Sequence, residues 1–319
     1  MLMGRRIFVF LFIGLLALVC STGKISEIKP VSNQHTVQRT VTLVAVGDVL
    51  LTRGIQRKID THGFQWPFAK VRDVLRSADV AFCNLECPLT AHGLKVNKPI
   101  CFKADPANVQ CLLHAGFDIV SLANNHALDC SRPGLIETMY YLEQHGIRYT
   151  GAGNDYQEAT SPTVLEVNGL KIAFISSNLL FPESVWFRMD APGMSLASID
   201  LLADKVRRLS HEADIVVVSL HWGVEYRGQP LDSQIESAHK LVDAGAHIVL
   251  GHHPHVKQPV ERYKGAVIAY SLGNFLFDSR LSKCNDSMIL KCQLTSSGVA
   301  DVKIIPIRLV ECRPTLKVQ

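Results

Sequence analysis

The strongest constraint in this sequence is an alternation of short apolar runs with longer segments of helical period, which begins at residue 41. Seven runs rich in Val, Ile and Leu indicate β-strands, and several are continuously apolar, as is typical of strands covered on both faces. The predicted strands are 41–46, 79–82, 119–123, 172–176, 215–220, 247–250 and 267–270. This rhythm predicts layered α/β structure.

Four segments between these runs carry apolar residues three and four positions apart, which indicates amphipathic helices. They are 67–77, 133–145, 198–211 and 233–244. No internal repeat and no Pro- or Gly-rich linker follows residue 45. We therefore expect one domain over residues 41–319, with the final segment, 287–318, supplying edge strands.

Composition excludes several classes of protein. Hydrophobic residues make up 47% of the 319 residues and charged residues 19%, which excludes collagen-like, low-complexity and intrinsically disordered chains. The formal net charge of +4 is small and evenly spread. It indicates neither a nucleic-acid partner nor a strongly basic membrane face.

The first 40 residues follow a different pattern. Arg5 and Arg6 precede an uncharged apolar run over 7–20, which is typical of a signal peptide and is shorter than the ~20 residues that a membrane-spanning helix requires. Residues 1–21 are therefore predicted to form a signal peptide or membrane anchor, and 22–40 a polar tether. Lipid modification of Cys20 stays open, although Val19 stands where such signals prefer a small residue. The predicted location is periplasmic or extracytoplasmic.

Eight cysteines follow Cys20, and an even number permits disulfides in an exported protein. None of them forms a Cys-x-x-Cys pair, which argues against a structural zinc site. The pairing is not fixed by the sequence. Cys284 and Cys292, on either side of an expected hairpin, are the single pair that we predict to form a bridge.

Polar side chains gather where six of the predicted strands end. They are Asp48, Asn84, Glu86, Asn124, Asn125, His126, Ser176, Asn178, His221, Glu225, His252, His253 and His255. Ligands of α/β sheets bind outside the carboxyl ends of the strands, so these residues are expected to meet in one crevice. Singly, each has a structural explanation: Asp48 could cap a helix, and His221 could be a buried structural histidine.

The sequence Gly251-His252-His253-Pro254-His255 places three imidazoles directly after a predicted strand. Such a concentration favours metal binding over chance. Together with Asp48, Glu86 and an asparagine, these histidines form a mixed nitrogen and oxygen ligand set. That set favours one or two manganese, iron or zinc ions over calcium or magnesium, and it suits hydrolysis.

Six short motifs follow one another in order along residues 42–280. They are Val46-Gly47-Asp48, Asn84-Leu85-Glu86, Ala123-Asn124-Asn125-His126 with Asp129 and Gly134, His221-Trp222-Gly223 with Glu225, His253-Pro254-His255-Val256, and Tyr270-Ser271-Leu272-Gly273-Asn274-Phe275. The series resembles the CapA family of capsule and poly-gamma-glutamate synthesis proteins. That family resembles in turn the calcineurin-like metallophosphoesterases, which implies an α/β two-sheet sandwich flanked by helices, with a dinuclear metal site.

The resemblance also implies roles for individual residues. Its metal ligands match Asp48, Glu86, Asn125, His221, His253 and His255, with Glu86 in place of a bridging aspartate. His126 matches the catalytic histidine that protonates a leaving oxygen, and His252 is a neighbour of the ligands. The substrate-binding candidates are Asn84, Asn124, Glu225 and Asn274. One position departs from the pattern, because Leu50 stands where the superfamily commonly has a histidine.

The predicted function is therefore capsule or poly-gamma-glutamate synthesis, export or anchoring, with a metal site that acts on an anionic cell-surface polymer. Membrane-bound capsule synthesis proteins are the predicted partners. The chemistry expected of the site is that of a metal-dependent hydrolase or transferase. Two alternatives stay open: a non-catalytic polymer-binding assembly factor, which Leu50 favours, and a secreted metallophosphatase for small substrates.

Overall fold

Two β-sheets pack face to face, and helices cover their outer sides. A computed structural model describes residues 39–180, 188–279 and 281–317. The predicted signal segment 1–21, including Cys20, and all but the last two residues of the predicted tether lie outside the described residues. Within the part of the chain that the structure describes, no helix combines the length and the hydropathy that crossing a membrane requires.

Sixteen strands and seven α-helices lie within the described residues. The strands are β1 (Val41–Val49), β2 (Val80–Leu85), β3 (Ile119–Ser121), β4 (Arg148–Thr150), β5 (Ala152–Gly153), β6 (Thr163–Val167), β7 (Leu170–Asn178), β8 (Gly193–Met194), β9 (Ile215–His221), β10 (Ile248–His252), β11 (Val260–Tyr263), β12 (Ala266–Ala269), β13 (Asn274–Leu276), β14 (Asp286–Thr295), β15 (Gly298–Val310) and β16 (Arg313–Leu316). The helices are α1 (Gly54–His62), α2 (Arg72–Arg76), α3 (Val109–Ala115), α4 (Ser131–Gln144), α5 (Tyr156–Ala159), α6 (Ile199–Leu209) and α7 (Asp232–Asp243).

The first sheet has the strand order β16-β15-β14-β1-β2-β3-β4, and β13 also pairs with β1. The second sheet has the order β11-β12-β10-β9-β7-β6, with the parallel strands β12, β10, β9 and β7 at its centre. Between the sheets lies a core in which the Phe82 and Phe174 rings stack at 5.8 Å. Two further apolar clusters join each sheet to the helices outside it. The architecture is therefore α/β/β/α.

Several strands continue beyond their apolar runs into polar residues. β1 includes Asp48 and ends at Val49, β9 ends at His221 and β10 ends at His252. The sequence predicts the ends of β1, β9 and β10 three, one and two residues earlier. Pairing explains the difference, because Asp48 is opposite Asn274 of β13 and His221 is opposite His252. The polar side chains are thereby held on ordered strand backbone.

Three other expectations differ from the structure. The predicted helix 67–77 is split into a 3-10 turn, Trp66–Phe68, and the short α2, because the backbone at Val71, with φ −130°, leaves the helical conformation. The sequence does not predict α1, α3 or α5. α1 has only two buried apolar residues, and α3 and α5 have seven and four residues, which is too short to show a helical period. The C-terminal segment supplies an interior strand, since β14 pairs with both β1 and β15, and only β16 lies at the edge.

The predicted Cys284–Cys292 bridge is wrong, because both residues are free thiols. Cys284 lies in the 3-10 turn Ser282–Asn285, and Cys292 lies well inside β14. A strand advances about 3.3 Å per residue, which separates the two positions by much more than the ~4.4–6.8 Å between Cα atoms that a disulfide requires. No hairpin lies between them, so the premise of the prediction fails too.

Two glycines allow the strand ends to approach one another closely. A Cβ atom on Gly47 would lie 1.8 Å from the carbonyl oxygen of Gly273, and one on Gly251 would lie 1.9 Å from that of Tyr270. Both contacts are with backbone, which cannot move aside as a flexible side chain can. Because glycine has no side chain, the polar ends of β1 and β10 can lie close to the segment before β13.

Candidate metal centre

The carboxyl ends of strands from both sheets converge on one buried cluster of polar side chains. Asp48 comes from β1, Glu86 directly follows β2, and His221 ends β9. The exposed fraction of these three side chains is 1% or less. Burial of two carboxyl groups and an imidazole in one place is costly unless they are paired or bind a cation.

The first group of potential ligands is Asp48, Glu86 and His221, whose donor atoms all lie within 4.8 Å of one another. The Asn84 side-chain amide donates to Asp48 Oδ1 at 2.9 Å and to Glu86 Oε2 at 3.3 Å, and it lies 3.5 Å from His221 Nδ1. Asn125 adjoins this group, since its Oδ1 is 3.0 Å from His221 Nε2.

The second group is Glu225, His253 and His255, whose donor atoms also lie within 4.8 Å of one another. His255 connects the two groups: its Nδ1 is 3.3 Å from Asp48 Oδ2, and its Nε2 is 3.7 Å from Glu86 Oε1. The His253 backbone N–H donates to Asp48 Oδ2 at 3.3 Å. The structure thus brings the six predicted metal ligands together and adds Glu225 at the exposed side.

The backbone around Pro254 is held in a conformation that L-residues rarely adopt. His253 has φ 95° and His255 has φ 57°. A non-glycine residue in this region costs about 1–3 kcal/mol and persists where surrounding contacts maintain it. At this bend the His255 imidazole approaches Asp48 and Glu86, and the His253 ring lies 4.9 Å from the His221 ring. The strained backbone therefore directs the paired histidines into the cluster.

Several buried polar atoms of the cluster have no hydrogen-bond partner among the described residues. They include Glu86 Oε1, His253 Nδ1 and the Asn274 side-chain nitrogen. Buried polar atoms of proteins are nearly always paired, so a group of orphaned atoms in one place indicates a bound ligand. Carboxylate oxygens and imidazole nitrogens together are donors for a divalent transition metal. The residues present therefore fit a divalent metal ion.

The acid–base properties of the cluster show how strongly its charges interact. Burial raises the pKa of Glu86 well above its ordinary value, and the nearby Asp48 raises it further. Burial lowers the pKa of His255, but the Glu86 and Asp48 carboxylates outweigh burial and raise that pKa to about 9. Burial and the adjacent His255 lower the pKa of His253 to about 3. The two carboxyl groups thus favour a positive charge on His255.

His126 lies at the edge of the cluster and is oriented by Asp129. Its Nδ1 is 2.7 Å from Asp129 Oδ2, and its Nε2 is 3.9 Å from Glu86 Oε1. An ionised carboxylate only accepts hydrogen bonds, so the hydrogen of this pair belongs to Nδ1 and Nε2 faces the cluster. Burial lowers the pKa of His126, although Asp129 opposes that change. This geometry suits a histidine that carries a proton to or from a bound substrate.

A segment without helix or strand, residues 91–103, covers His126 and is called the site loop below. The Phe102 ring lies against the His126 ring, with 4.1 Å between their centroids. Glu137 of α4 fixes the first turn of the loop: its Oε2 accepts from the Thr90 hydroxyl at 2.6 Å and from the Ala91 N–H at 2.8 Å, and its Oε1 is 2.9 Å from His92 Nδ1.

Glu137→Gln should destabilise the protein at pH 7 and have little effect in acid. Burial raises the pKa of Glu137, but hydrogen bonds from Thr90, His92 and Ala91 outweigh it and lower the pKa to about 2. A carboxyl whose pKa is lowered by folding stabilises the native state above its unfolded value of ~4.3, and that contribution disappears between about pH 5 and pH 2.

We expect Glu137→Gln to lower the free energy of unfolding by about 1–2 kcal/mol at pH 7, the usual contribution of a hydrogen bond to a charged group. Urea unfolding between pH 7 and pH 3.5 should show this difference shrinking as the pH falls. The matched control is Glu236→Gln, on the exposed face of α7. A constant difference over that pH range would contradict the assignment of the stabilisation to the Glu137 carboxylate.

The four predicted substrate-binding residues have different surroundings. Asn84, Asn124 and Asn274 are fully buried. The Asn124 amide donates to Asn84 Oδ1 at 3.0 Å, and Asn274 Oδ1 is 2.9 Å from His255 Nδ1. Only Glu225 is exposed. Asn84 and Asn274 therefore contact the ligand residues themselves, whereas Asn124 contacts Asn84. The contact of all four residues with a substrate stays a prediction.

Sequence reasoning assigned no role to Asp129 or Lys98, and it treated His252 only as a neighbour of the ligands. The Nδ1 atom of His252 lies 3.3 Å from Asp48 Oδ1. The position of His252 beside the histidine pair could have indicated this contact. Asp129 orients His126, and its spacing of three residues from that histidine could have indicated this role. Lys98, which pairs with Asp129, lies in a loop with no periodic pattern. Leu50, where the superfamily commonly has a histidine, is fully buried in the apolar core.

Comparison with known proteins shows which family this sequence matches. The family described as "Bacterial capsule synthesis protein PGA_cap" matches residues 42–279. The capsule biosynthesis protein CapA of Bacillus anthracis is 30% identical over 289 residues, which cover 88% of this chain and 70% of that protein. The PGA biosynthesis protein CapA of Bacillus subtilis is 32% identical over 272 residues, which cover 84% and 72%.

A solved structure shares the fold. The NAD nucleotidase NadN of Haemophilus influenzae superposes with a TM-score of 0.50 at 13% identity, over 88% of this chain and 54% of that one. At this identity the likeness shows the fold alone. The two-sheet sandwich is of the calcineurin-like metallophosphoesterase type, which confirms the predicted fold class.

Proposed function

The chain belongs to the bacterial capsule synthesis protein family PGA_cap, and we propose that it acts on an anionic cell-surface polymer at a divalent metal centre. Family membership carries the role in capsule biosynthesis. Poly-gamma-glutamate is the polymer that we propose first, because the Bacillus subtilis relative is a PGA biosynthesis protein; a capsule polysaccharide is the alternative.

The observation that carries the metal centre is the convergence of Asp48, Glu86 and His221 within 4.8 Å, beside buried polar atoms that lack partners. We assign metal binding to Asp48, Glu86, Asn125, His221, His253 and His255, with manganese, iron or zinc as the ion. When bound, one or two such ions would polarise a phosphoryl or acyl oxygen of the substrate and make a bound water more acidic.

The chain's own residues would then orient the substrate and move a proton. His126 would take up a proton at Nε2 and pass it to the leaving oxygen, and Asp129 keeps the ring in that orientation through Nδ1. Phe102 lies against His126 and Phe277 lies against His255, with centroid distances of 4.1 and 4.9 Å, and both rings would limit the entry of water. Asn84, Asn124 and Asn274 would orient the ligand side chains. Glu225 is the exposed member and would face the substrate.

Export is part of the same proposal. Capsule polymers lie outside the cell, and the apolar run over 7–20 follows two arginines, as in a signal peptide. We propose an extracytoplasmic protein, tethered or released, that works beside membrane-bound capsule synthesis proteins. Fractionation of cells that produce the full chain would place it in the periplasmic, membrane or cytoplasmic fraction, and a purely cytoplasmic location would contradict this part.

The proposed function is tested by complementation of a deletion strain with the full chain. We expect the parent gene to restore surface polymer and His253→Ala to fail, because that substitution removes a metal ligand. The matched control, His211→Ala, removes an exposed histidine outside the cluster and should restore polymer fully. Purified His253→Ala should also contain less metal than the parent. Normal polymer and normal metal content in His253→Ala would overturn the proposal.

A second candidate function is a polymer-binding assembly factor without turnover. Leu50 favours it, because its buried side chain cannot supply the imidazole that metallophosphoesterases commonly have at that position. In this alternative the same cluster would hold a polymer carboxylate through its metal. His126 distinguishes the two functions, since proton transfer matters only to a catalyst.

A further inference from the structure

The site loop approaches the cluster through two of its residues. Most of the loop is exposed, but Phe102 is buried and the Lys98 side chain is only 13% exposed. A lysine side chain usually keeps its ammonium group in water. The inward position of Lys98 therefore needs an explanation from its contacts.

Asp129 is the point at which the site loop is attached. The Phe102 N–H donates to Asp129 Oδ2 at 2.6 Å, and the Val96 N–H donates to the Asp129 backbone carbonyl at 2.8 Å. The Cys101 thiol donates to the same carbonyl at 2.9 Å. Asp129 itself is 1% exposed, so the loop encloses this carboxylate from one side.

Lys98 pairs with the second oxygen of this carboxylate. Its ammonium group forms an ion pair with Asp129 Oδ1, and this oxygen accepts no hydrogen bond from any other described residue. The other oxygen, Oδ2, is shared between the Phe102 N–H and His126 Nδ1. The carboxylate is thus held at Oδ1 by Lys98 and at Oδ2 by the Phe102 N–H and His126.

The same ammonium group reaches the neighbouring ligand segment. Lys98 Nζ donates to the backbone carbonyl of Asn125 at 2.9 Å. Asn125 is one of the proposed metal ligands, and His126 follows it directly. One side chain from the loop therefore holds both the backbone of a ligand residue and the carboxylate that orients the proposed proton carrier.

We propose that Lys98 is a positioning residue, which acts through Asp129 to fix the orientation and the tautomer of His126. The proposal rests on the proposed function for its catalytic consequence, but the orientation of His126 can be measured without turnover. Removal of the ammonium group would leave Asp129 Oδ1 buried without a partner, and such a group rotates or recruits another donor. Either change would release the hydrogen bond at His126 Nδ1.

The direct test is nitrogen NMR of histidine side chains in the metal-free full chain labelled with ¹⁵N-histidine. The His126 signals are identified by their absence from the spectrum of His126→Asn. In the parent we expect His126 with its hydrogen on Nδ1. Lys98→Met should shift these signals towards a mixture of tautomers, and Lys98→Arg, which keeps the charge, should retain the parental pattern.

Turnover provides the second readout, on a panel of chromogenic phosphoesters and gamma-glutamyl peptides. We expect Lys98→Met to lower kcat about 10- to 100-fold, the usual effect of losing a residue that orients a site group, with KM and metal content unchanged. The matched control is Lys95→Met, which removes an exposed lysine of the same loop and should change neither the NMR signals nor kcat. If Lys98→Met does not fold, Lys98→Gln replaces it.

The two readouts separate the proposals. Unchanged His126 signals in a folded Lys98→Met or Lys98→Gln protein would overturn the positioning role, whatever the activity. Shifted signals in a protein whose parent turns over none of the substrates would support the positioning role and count against the catalytic form of the proposed function. A rise in KM together with a fall in kcat, with unchanged His126 signals, would indicate a structural role for the loop and would overturn the positioning role.

Discussion

His126→Asn should slow turnover by about 10²- to 10⁴-fold, the usual contribution of a positioned general acid or base, while the metal content stays at the parental level. His126 Nε2 faces the cluster, but its nearest cluster oxygen, Glu86 Oε1, is 3.9 Å away. The ring therefore contributes a proton site at the margin of the metal centre. An asparagine keeps a polar group of similar length there but cannot carry the proton.

The measurement combines metal analysis of purified protein with kinetics on phosphoesters and gamma-glutamyl peptides, and with surface polymer in the complemented deletion strain. His211→Asn, at an exposed position, is the matched control. Parental amounts of polymer from His126→Asn, with metal retained, would reject catalysis and leave the polymer-binding factor as the function. Loss of metal from His126→Asn would instead show that His126 is a ligand.

The residues of the metal cluster can be predicted from the sequence because they follow apolar runs. A continuous run such as that before His221 identifies a buried strand, and the carboxyl ends of such strands meet at one edge of a sheet. Asp48, Glu86 and His255 therefore could be grouped without a structure. The exact strand ends could not, because pairing of Asp48 with Asn274 and of His221 with His252 depends on neighbouring strands.

The residues that orient the site cannot be predicted from the sequence in the same way. Lys98 comes from an irregular loop, and its contact with Asp129 exists only because α4 and the site loop pack together through Glu137. Asn84 and Asn124 belong to recognisable motifs, but nothing in the sequence tells whether their amides face a substrate or the ligand residues. In the structure the Asn84 amide donates to the ligand residue Asp48, and the Asn124 amide donates to Asn84.

Chelation of the metal should lower the thermal midpoint of the full chain by about 5–15 °C. A ligand that binds only the native state at about 1,000 times its Kd stabilises that state by ~4 kcal/mol, and each kcal/mol shifts Tm by roughly 2–4 °C in a domain somewhat smaller than this one. The buried carboxyl groups of Asp48 and Glu86 would lose their cation. A positive charge on His255 would replace part of the charge of that cation, so the metal-free protein should remain folded.

Asp48→Asn makes this prediction specific to the cluster. Asp48 belongs to the first ligand group and contacts His255 of the second, so removal of its carboxylate should affect every metal position. We expect the Tm of Asp48→Asn to be the same with and without chelator, whereas His211→Ala should keep the full parental shift. Calorimetry of matched samples with and without manganese or zinc measures both. A shift that survives in Asp48→Asn would place the stabilising metal elsewhere in the chain, and the absence of any shift in the parent would mean that metal binding contributes little to its folding.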